Sequence, residues 1–191
     1  MRITGKVKVF AVVAASVAAV SACGQGDPPA ASSAMPAVGA SSAPPSSTTG
    51  SKTFDRECTA EDIQVSGEAN KKPSITIPDT CAPPKQLVTK DLVAGTGLEA
   101  QPGATVQTHY LLVTWSDHKQ LDSSWDRDQP FPLENVGNAP VIKGWNEGML
   151  GIKEGGRRLL VIPPDKGYGQ GGRGIKPNET LVFVVDAMQV A

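Results

Sequence analysis

The C-terminal part of the sequence predicts an α+β fold, in which an antiparallel β-sheet is covered on one face by one short helix. Segments rich in β-branched and aromatic residues recur between clusters of Gly, Pro, Asp and Asn, which is typical of strands joined by turns. Helical spacing marks one short segment: Ile142, Trp145 and Met149 recur at i, i+3 and i+7 and give residues 143–150 one apolar face. Gly151 follows as a stop signal for this helix.

The predicted strands follow one another along the chain. Five segments have the composition of strands: residues 85–93, 105–115, 120–124, 157–162 and 180–190. Turn signals separate the first two, namely Gly95-Thr96-Gly97 and Gln101-Pro102-Gly103. The pair Arg157-Arg158, at the start of the fourth segment, is expected to be solvated.

Composition and charge limit the function classes. The chain has 191 residues, which is enough for one domain with extensions. Its 18 Lys and Arg residues are balanced by 19 Asp and Glu residues, which gives a formal net charge of -1. A protein that binds nucleic acid would usually carry a basic patch, so no nucleic-acid partner is expected.

The N-terminal segment has the features of a targeting signal. Arg2, Lys6 and Lys8 precede an apolar stretch, residues 9–20, that is too short to span a bilayer. Residues 1–22 are therefore predicted to be a signal peptide, which is removed and forms no part of the fold.

A cysteine lies at the predicted cleavage point. The string Val20-Ser21-Ala22-Cys23-Gly24 resembles the bacterial lipobox, in which the cysteine is acylated and becomes the new N-terminus. The alternative is an ordinary secretory signal cleaved after Ala22, which would leave Cys23 unmodified. The lipobox predicts an exported protein anchored to the outer face of the bacterial cell membrane, with the lipid as its only membrane contact.

Residues 23–53 are predicted to be a disordered tether behind the lipidated cysteine. They consist largely of Ala, Ser, Pro, Gly and Thr and contain almost no bulky apolar side chains. Such a segment buries too little surface to offset the entropy lost on ordering. Its prolines stiffen it, so that the globular part would sit away from the membrane.

Cys58 and Cys81 are predicted to form a disulfide. They remain as a pair once Cys23 is assigned to lipid, and exported proteins favour disulfides. The rival interpretation is a metal site, which would need further ligands. His109 and His118 lack the spacing of metal motifs, so no metal is expected.

Two regions follow the predicted tether. Residues 54–84 are interpreted as a small stapled extension, and residues 85–191 as the main domain. Within the extension, Ser74-Ile75-Thr76-Ile77 alternates like a short strand between two prolines.

The sequence offers no site for bond-making chemistry. No Ser/His/Asp set stands out, and Asp122-Ser123-Ser124 is not expected to lie near a histidine. Residues 169–174 are rich in glycine but lack the strand–loop–helix setting of a phosphate-binding loop. This favours a flexible rim over a pocket, and no cofactor is expected.

Aromatic residues are distributed unevenly along the chain. They make up 5% of the sequence, yet most of them lie between residues 110 and 183, each in a different local context. Such a distribution suggests an aromatic-lined pocket. The aromatic residues of this stretch are Tyr110, Trp115, Trp125, Phe131, Trp145, Tyr168 and Phe183.

This part of the chain closely resembles the FKBP-type peptidyl-prolyl cis-trans isomerases. The resemblance covers roughly residues 85–190 and rests on separated motifs in the family's order: HYLLVTW, QLDSSWDRDQPF, VIKGWNEGML, GGRRLLVIPPDKGYG and NETLVF. It implies a five- or six-stranded sheet curled around one short helix. It also implies a monomeric isomerase of X-Pro bonds. Its partners would be proline-containing polypeptide segments, with macrolide immunosuppressants as a further ligand class.

The same resemblance implies roles for individual residues of the pocket. Trp145 corresponds to the floor beneath the proline ring, and Asp122 to the carboxylate near the rotating amide. Tyr168 corresponds to a hydroxyl that binds a substrate carbonyl, and Ile142 to a backbone N–H donor. The remaining positions form the walls, edge and rim: Tyr110, Phe131, Phe183, Val141, Leu121 and Ile175.

Two positions depart from the family pattern. Leu121 stands where the family usually has an aromatic residue before Asp-Ser-Ser, which would alter the pocket wall. Pro140 stands where an acidic residue often precedes Val-Ile, and its missing N–H would weaken one edge contact. Activity is still expected, because the aromatic positions and Asp122 are all filled.

Two other functions compete with catalysis as an interpretation of the sequence. In the first, the same pocket holds proline-containing segments with little turnover, as a binding or chaperone module. In the second, the chain is a surface adhesin or drug-binding lipoprotein without a role in folding. The filled aromatic and carboxylate positions favour the isomerase.

Overall fold

The computed structural model describes residues 54–191. The predicted signal peptide (1–22), the predicted lipidation site Cys23 and the predicted tether (23–53) lie outside the described residues. Within residues 54–191, no helix has both the length and the apolar character needed to cross a membrane.

The described residues form two antiparallel sheets, one short helix and a single 3-10 turn, Pro164–Lys166. The elements are β1 Gln64–Ser66, β2 Ser74–Thr76, β3 Val88–Val93, β4 Val106–Thr114, β5 Gln120–Ser123, β6 Phe131–Leu133, α1 Lys143–Gly148, β7 Arg157–Ile162 and β8 Leu181–Val190. The larger sheet has six strands in the order β3-β7-β8-β4-β5, and β6 pairs with the N-terminal half of β4. The predicted α+β fold is therefore confirmed.

Most predicted elements lie where the sequence places them. β7 has the predicted bounds, and the other predicted strands of the main sheet, like the helix, lose one to three residues at their ends. Two short strands were not predicted. β1 completes a hairpin with β2, and β6 contains a proline, which weakens any strand signal.

Two glycines set the distance between α1 and the sheet. A Cβ atom at Gly148 would lie 2.7 Å from Leu160 Cδ2, and one at Gly144 would overlap the side chain of Ile162. Side chains larger than hydrogen do not fit there, so the helix rests on β7 at a distance that glycine allows. Trp145, next to Gly144, is thereby held in the core with 4% of its surface exposed.

Both faces of the main sheet are buried. Successive side chains of a strand face opposite sides. One set, which includes Leu112, Leu160 and Phe183, packs against α1. The other set packs beneath the extension and comprises Leu111, Val113, Leu159, Val161, Val182 and Val184. Burial on both faces explains the unbroken apolar runs at residues 159–162 of β7 and 181–185 of β8.

The extension is closed by the predicted disulfide. Cys58 and Cys81 are bonded to each other, and both side chains are buried in the cluster under the second face of the sheet. A closed loop of this size stabilises the fold by about 3 kcal/mol on the chain-entropy model. Ile77, which follows β2, is 5% exposed and packs in the same cluster.

A buried ion pair joins the extension to the main sheet. Arg157 donates two hydrogen bonds to Asp186, at 2.5 Å from Nε and 2.8 Å from Nη2, and both side chains are only 2% exposed. Arg157 also donates to the carbonyl oxygens of Gly67 and Lys71 in the extension. The Asp186 carboxylate accepts from the N–H of Asn70. The two charges therefore compensate each other, and the same side chains also supply hydrogen-bond partners for the backbone of the loop in the extension.

Arg158 is buried on the helix face of the sheet. It pairs with Asp91 of β3 and donates from Nη1 to the carbonyl oxygens of Gly148 and Leu150 at the end of α1. These carbonyls lack partners within the helix. The prediction that Arg157 and Arg158 are solvated is wrong, because distant parts of the chain supply partners for both.

Candidate active site

Trp145 lies at the centre of a group of aromatic rings. The centroid of its ring is 5.5 Å from that of Tyr110, 5.8 Å from that of Phe131 and 5.4 Å from that of Phe183. The three interplanar angles are 89°, 88° and 81°. Edge-to-face contacts of this kind are favourable for aromatic rings. The indole therefore forms a floor from which three rings stand up as walls.

Each ring of this group comes from a different element. Tyr110 lies on β4, Phe131 on β6, Phe183 on β8 and Trp145 on α1. Phe183 is paired with Leu112 of β4, two residues from Tyr110, so that both rings project from the helix face of the sheet. The pocket thus depends on strand register as well as on residue type.

The rings border a cavity of about 410 Å³, which is within the range of small-ligand sites. Its floor and walls are mainly apolar, and the charged groups are confined to Asp122 and Arg173. The lining residues are Tyr110, Leu112, Asp122, Phe131, Pro140, Val141, Ile142, Trp145, Tyr168, Arg173 and Phe183.

Asp122 is held at the cavity edge by Tyr110 and Arg127. The Tyr110 hydroxyl donates to Asp122 Oδ2 at 2.6 Å, and Arg127 Nη1 forms a short hydrogen bond with Asp122 Oδ1. Arg127 Nη2 also donates to the Tyr110 hydroxyl at 3.0 Å. The guanidinium carbon lies 5.8 Å from the centroid of the Tyr110 ring, within the range of a cation–π contact.

The network keeps Asp122 ionised and Tyr110 neutral. Burial opposes ionisation of Asp122, but the hydrogen bonds from Tyr110 and Arg127 outweigh it and lower the pKa of the carboxyl. Burial, followed by the hydrogen bond to Asp122, raises the pKa of the Tyr110 phenol. At neutral pH the cavity edge therefore carries one carboxylate whose charge is compensated by Arg127.

The segment before α1 forms the opposite edge of the cavity. Asn146 fixes it by accepting from the N–H of Ala139 at 2.8 Å and donating to the Ala139 carbonyl at 3.0 Å. Val141 and Ile142 follow and line the cavity. Within residues 54–191 the N–H of Ile142 has no hydrogen-bond acceptor. This donor is available to a ligand carbonyl.

Tyr168 enters the cavity from the loop after the 3-10 turn. The backbone of this loop is fixed at Gly169, whose N–H donates to Pro164 O and whose carbonyl accepts from Asn178. The Tyr168 hydroxyl has no partner among the described residues. It is a second unengaged donor on the cavity wall.

Eight of the predicted pocket residues line the cavity, namely Tyr110, Asp122, Phe131, Val141, Ile142, Trp145, Tyr168 and Phe183. Two others do not. Leu121 is 37% exposed on β5, and Ile175 is 7% exposed in the main core. Of the aromatic residues that suggested a pocket, Trp115 packs beneath the extension, and Trp125 stacks on His109.

Sequence reasoning did not name Leu112 as a cavity residue. It placed Arg173 only within the rim segment 169–174, and it placed Pro140 only at the edge, whereas both line the cavity. It also missed Arg127, which contacts Asp122 from behind. The short spacing between Asp122, near the end of β5, and Arg127, in the turn that follows, was the available signal. A nearby opposite charge cannot be identified as a partner until the backbone between the two residues is known.

The expectation that Asp122-Ser123-Ser124 lies far from any histidine is wrong. His109 Nδ1 is 3.0 Å from Ser124 Oγ, which accepts from the N–H of Tyr110 at 2.7 Å. Ser124 is fully buried, and neither it nor His109 lines the cavity. The pair holds β4 against the loop that begins at Ser124, and it is not placed for attack on a ligand.

The arrangement is suited to binding and desolvation. Its floor and walls are aromatic, one edge is a compensated carboxylate, and the other edge offers the Ile142 N–H and the Tyr168 hydroxyl. The one group of potential metal ligands within residues 54–191 is Cys58, Asp62 and Cys81. The two sulfurs of that group are bonded to each other.

Comparisons with a family model and with known proteins all point to the same family. The family described as FKBP-type peptidyl-prolyl cis-trans isomerase matches residues 97–188. A "Probable FK506-binding protein" of Corynebacterium glutamicum is 44% identical over 119 residues, which cover 61% of this chain and 96% of the relative. An "FK506-binding protein" of Streptomyces anulatus is 42% identical over 123 residues, which cover 63% of this chain and 98% of the relative.

Two solved structures are similar in fold and sequence. AtFKBP13 is 33% identical with a TM-score of 0.50, and the match covers 55% of this chain and 93% of that one. FkpA from Escherichia coli is 40% identical with a TM-score of 0.50, and the match covers 55% of this chain and 47% of that one.

Proposed function

This chain belongs to the FKBP-type peptidyl-prolyl cis-trans isomerases, and from that premise we propose that it accelerates X-Pro isomerisation during the folding of exported proteins. It is a peptidyl-prolyl cis-trans isomerase, and its family binds proline-containing substrates and FK506-type ligands. The observation that carries the proposed mechanism is the aromatic enclosure on Trp145, with one ionised carboxylate at its edge.

The chemistry requires rotation about a bond and no bond cleavage. The barrier of about 18–20 kcal/mol comes from amide resonance, which is lost when the C–N bond is twisted. The twisted amide separates less charge between oxygen and nitrogen than the planar amide does. An enclosure that replaces water by aromatic surface therefore favours the twisted state, which is a transition-state effect.

The edges of the cavity orient the substrate in this mechanism. The proline ring packs on the indole of Trp145, between the rings of Tyr110, Phe131 and Phe183. The Ile142 N–H and the Tyr168 hydroxyl each donate to a substrate carbonyl, which fixes the chain on either side of the rotating bond. Asp122 faces the amide as it twists.

All of these residues come from one chain, so a monomer is sufficient for the proposed activity. Leu121 and Ile175 have a smaller part in this proposal. Leu121 is exposed beside the rim, and Ile175 supports the rim from within the core.

The cellular setting is proposed on the sequence alone. The positive and apolar N-terminal segment, followed by the lipobox at Cys23, supports export and attachment of lipid. The tether would then hold the isomerase at the outer face of the bacterial membrane, where newly exported chains fold. A Cys23→Ala variant is expected to leave the membrane fraction and to lose acyl labelling. Unchanged fractionation and labelling would contradict lipidation at this residue.

Two-dimensional NMR exchange on a short Leu-Pro peptide tests the catalytic proposal. Substoichiometric enzyme should bring cis/trans exchange from tens of seconds into the range that the experiment detects. FK506 should abolish this effect by occupying the same cavity. Saturable peptide binding without faster exchange would instead support the binding or chaperone module.

A further inference from the structure

Arg173 is a cation on the cavity that the isomerisation mechanism does not use. Arg173 is one of the residues that line the cavity, and it is exposed to solvent. Within residues 54–191 its guanidinium has no hydrogen-bond or ion-pair partner. Arginine at a ligand site recognises carboxylates, because its planar donor groups match their geometry.

The other charges at the cavity do not neutralise Arg173. Both oxygens of Asp122 are engaged, Oδ1 by Arg127 and the Ser123 N–H and Oδ2 by Tyr110. The charge of Asp122 is thus compensated by Arg127. The uncompensated charge at the cavity is therefore the positive charge of Arg173.

The backbone presents Arg173 at the tip of a tight loop. Gly172 and Ile175 exchange two backbone hydrogen bonds of 3.0 Å around it. Arg173 has a φ of 54°, and its neighbours Gly172 and Gly174 also have positive φ, a conformation in which glycine is favoured. Arg173 is therefore a single large side chain between glycines.

The base of the same loop is fixed to the turn between β4 and β5. Lys176 Nζ donates to Asp117 Oδ2 at 3.1 Å and to Ser116 Oγ at 3.2 Å. The Glu179 carboxylate accepts from both the N–H and the hydroxyl of Ser116. This second cation of the loop is thus occupied, whereas Arg173 remains available to a substrate.

We propose that Arg173 selects X-Pro segments that carry an acidic side chain immediately before or after the proline. The inference rests on the proposed function, because it concerns substrates of the same pocket. An exposed ion pair is weak in water, so the preference over a neutral side chain of equal size should be about two- to fivefold in kcat/KM. It should largely disappear at about 1 M salt, where charges are screened within about 3 Å.

The test compares matched peptides that differ by one group. Glu-Pro and Gln-Pro peptides, and the Pro-Glu and Pro-Gln pair, have the same size and differ in charge. At low salt the wild-type protein should prefer the acidic member of at least one pair. Arg173→Gln should bring the ratio of kcat/KM for the acidic peptide to kcat/KM for the neutral peptide close to one. Arg173→Glu should invert this ratio. Lys71→Gln is the control, because it removes one positive charge from the extension, beneath the other face of the sheet. It should leave the ratio as in wild type.

The outcomes separate this inference from the proposed function. Equal ratios in wild type, Arg173→Gln and Arg173→Glu would overturn the role of Arg173, provided that a Leu-Pro peptide is still isomerised. Failure to accelerate the Leu-Pro peptide would overturn the proposed function itself. A ratio that falls equally in Lys71→Gln would show a general effect of net charge, which also contradicts a role for Arg173.

Discussion

Tyr110 and Asp122 are joined across neighbouring strands by a hydrogen bond of 2.6 Å. Asp122 is paired in register with Leu112, so the bond runs diagonally from β5 to the residue two positions earlier on β4. Arg127 contacts both members of the pair. The carboxylate is thereby fixed at the edge of the cavity by an aromatic wall residue and by an arginine whose side chain is 46% exposed.

Replacing Asp122 should affect turnover more than folding. Asp122→Ala removes the carboxylate that faces the rotating amide, and we expect kcat/KM to fall severalfold without abolishing activity. The side chains of Asp122 and Arg127 are 39% and 46% exposed, so the free energy of unfolding should change by less than about 1 kcal/mol. Isomerase rates and melting temperatures of the variant measure both effects. Turnover at the parent rate would show that the assigned pocket is wrong.

The pH profile of activity should be flat near neutrality. The fold lowers the pKa of Asp122 below its usual value of about 3.9. Its stabilising interactions are therefore complete above that value and are lost only as the pH falls through the lower, folded-state pKa. The pKa of Tyr110 is raised, so this phenol stays neutral. We expect kcat/KM to vary little between about pH 6 and 8. A bell-shaped profile in that range would indicate a general acid or base.

Tyr168→Phe isolates one orienting hydrogen bond. The hydroxyl has no partner among the described residues, so its removal should leave the melting temperature unchanged. If it donates to a substrate carbonyl, its loss costs about 0.5–1.5 kcal/mol and lowers kcat/KM by about two- to tenfold. The rate and the melting temperature are measured on the same preparation. A lower melting temperature with an unchanged rate would assign the hydroxyl to the fold instead.

Trp145→Ala should impair both stability and turnover. The indole is 4% exposed, and truncation of a buried tryptophan costs roughly 3–5 kcal/mol. Trp115→Ala is the matched control, because Trp115 is 8% exposed and packs on the other face of the sheet. Denaturant unfolding should show a lower free energy of unfolding for both variants. At denaturant concentrations below both unfolding transitions, Trp115→Ala should keep its isomerase activity on X-Pro peptides, whereas Trp145→Ala should be much slower. Equal activities would show that the indole does not form the floor.

Asp186→Ala should be among the most destabilising single changes at a charged residue. The substitution leaves Arg157 buried without its carboxylate partner. We therefore expect the free energy of unfolding to fall by about 3–5 kcal/mol. Asp126→Ala is the control, because Asp126 pairs with Lys72 where the side chains are 48% and 40% exposed. The control should lose less than about 1 kcal/mol. Urea unfolding distinguishes the two, and similar midpoints would contradict the importance of burial.

The sequence predicts elements whose signals are local. A high content of β-branched and aromatic residues between flanking turns is sufficient for β4, β5, β7 and β8, and helical spacing is sufficient for α1. β6 could not be predicted in this way. It has three residues, one of them Pro132, and it is a strand only because β4 lies beside it. A local sequence pattern does not show which distant segments of the chain will pair as strands.

The same limit applies to charged residues. A charged residue at the start of a strand, such as Arg157, is expected from the sequence to be solvated. Arg157 is instead buried because it pairs with Asp186, 29 residues away. Arg127 depends on the turn that brings it back to Asp122. The aromatic pocket was easier to predict, because the motifs shared with the family mark which positions of the sequence meet in the folded pocket. Trp115 and Trp125, which lie outside the pocket, show that aromatic content by itself does not separate a site from a core.

The covered second face of the sheet has a consequence for protein engineering. A truncated protein that began at residue 85 would keep every cavity-lining residue but expose Leu111, Val113, Trp115, Leu159, Val161, Val182 and Val184 to water. Exposed apolar patches of this kind promote self-association. A minimal isomerase cassette cut from this chain would therefore be limited by solubility rather than by turnover, and the extension would have to be retained in any portable version.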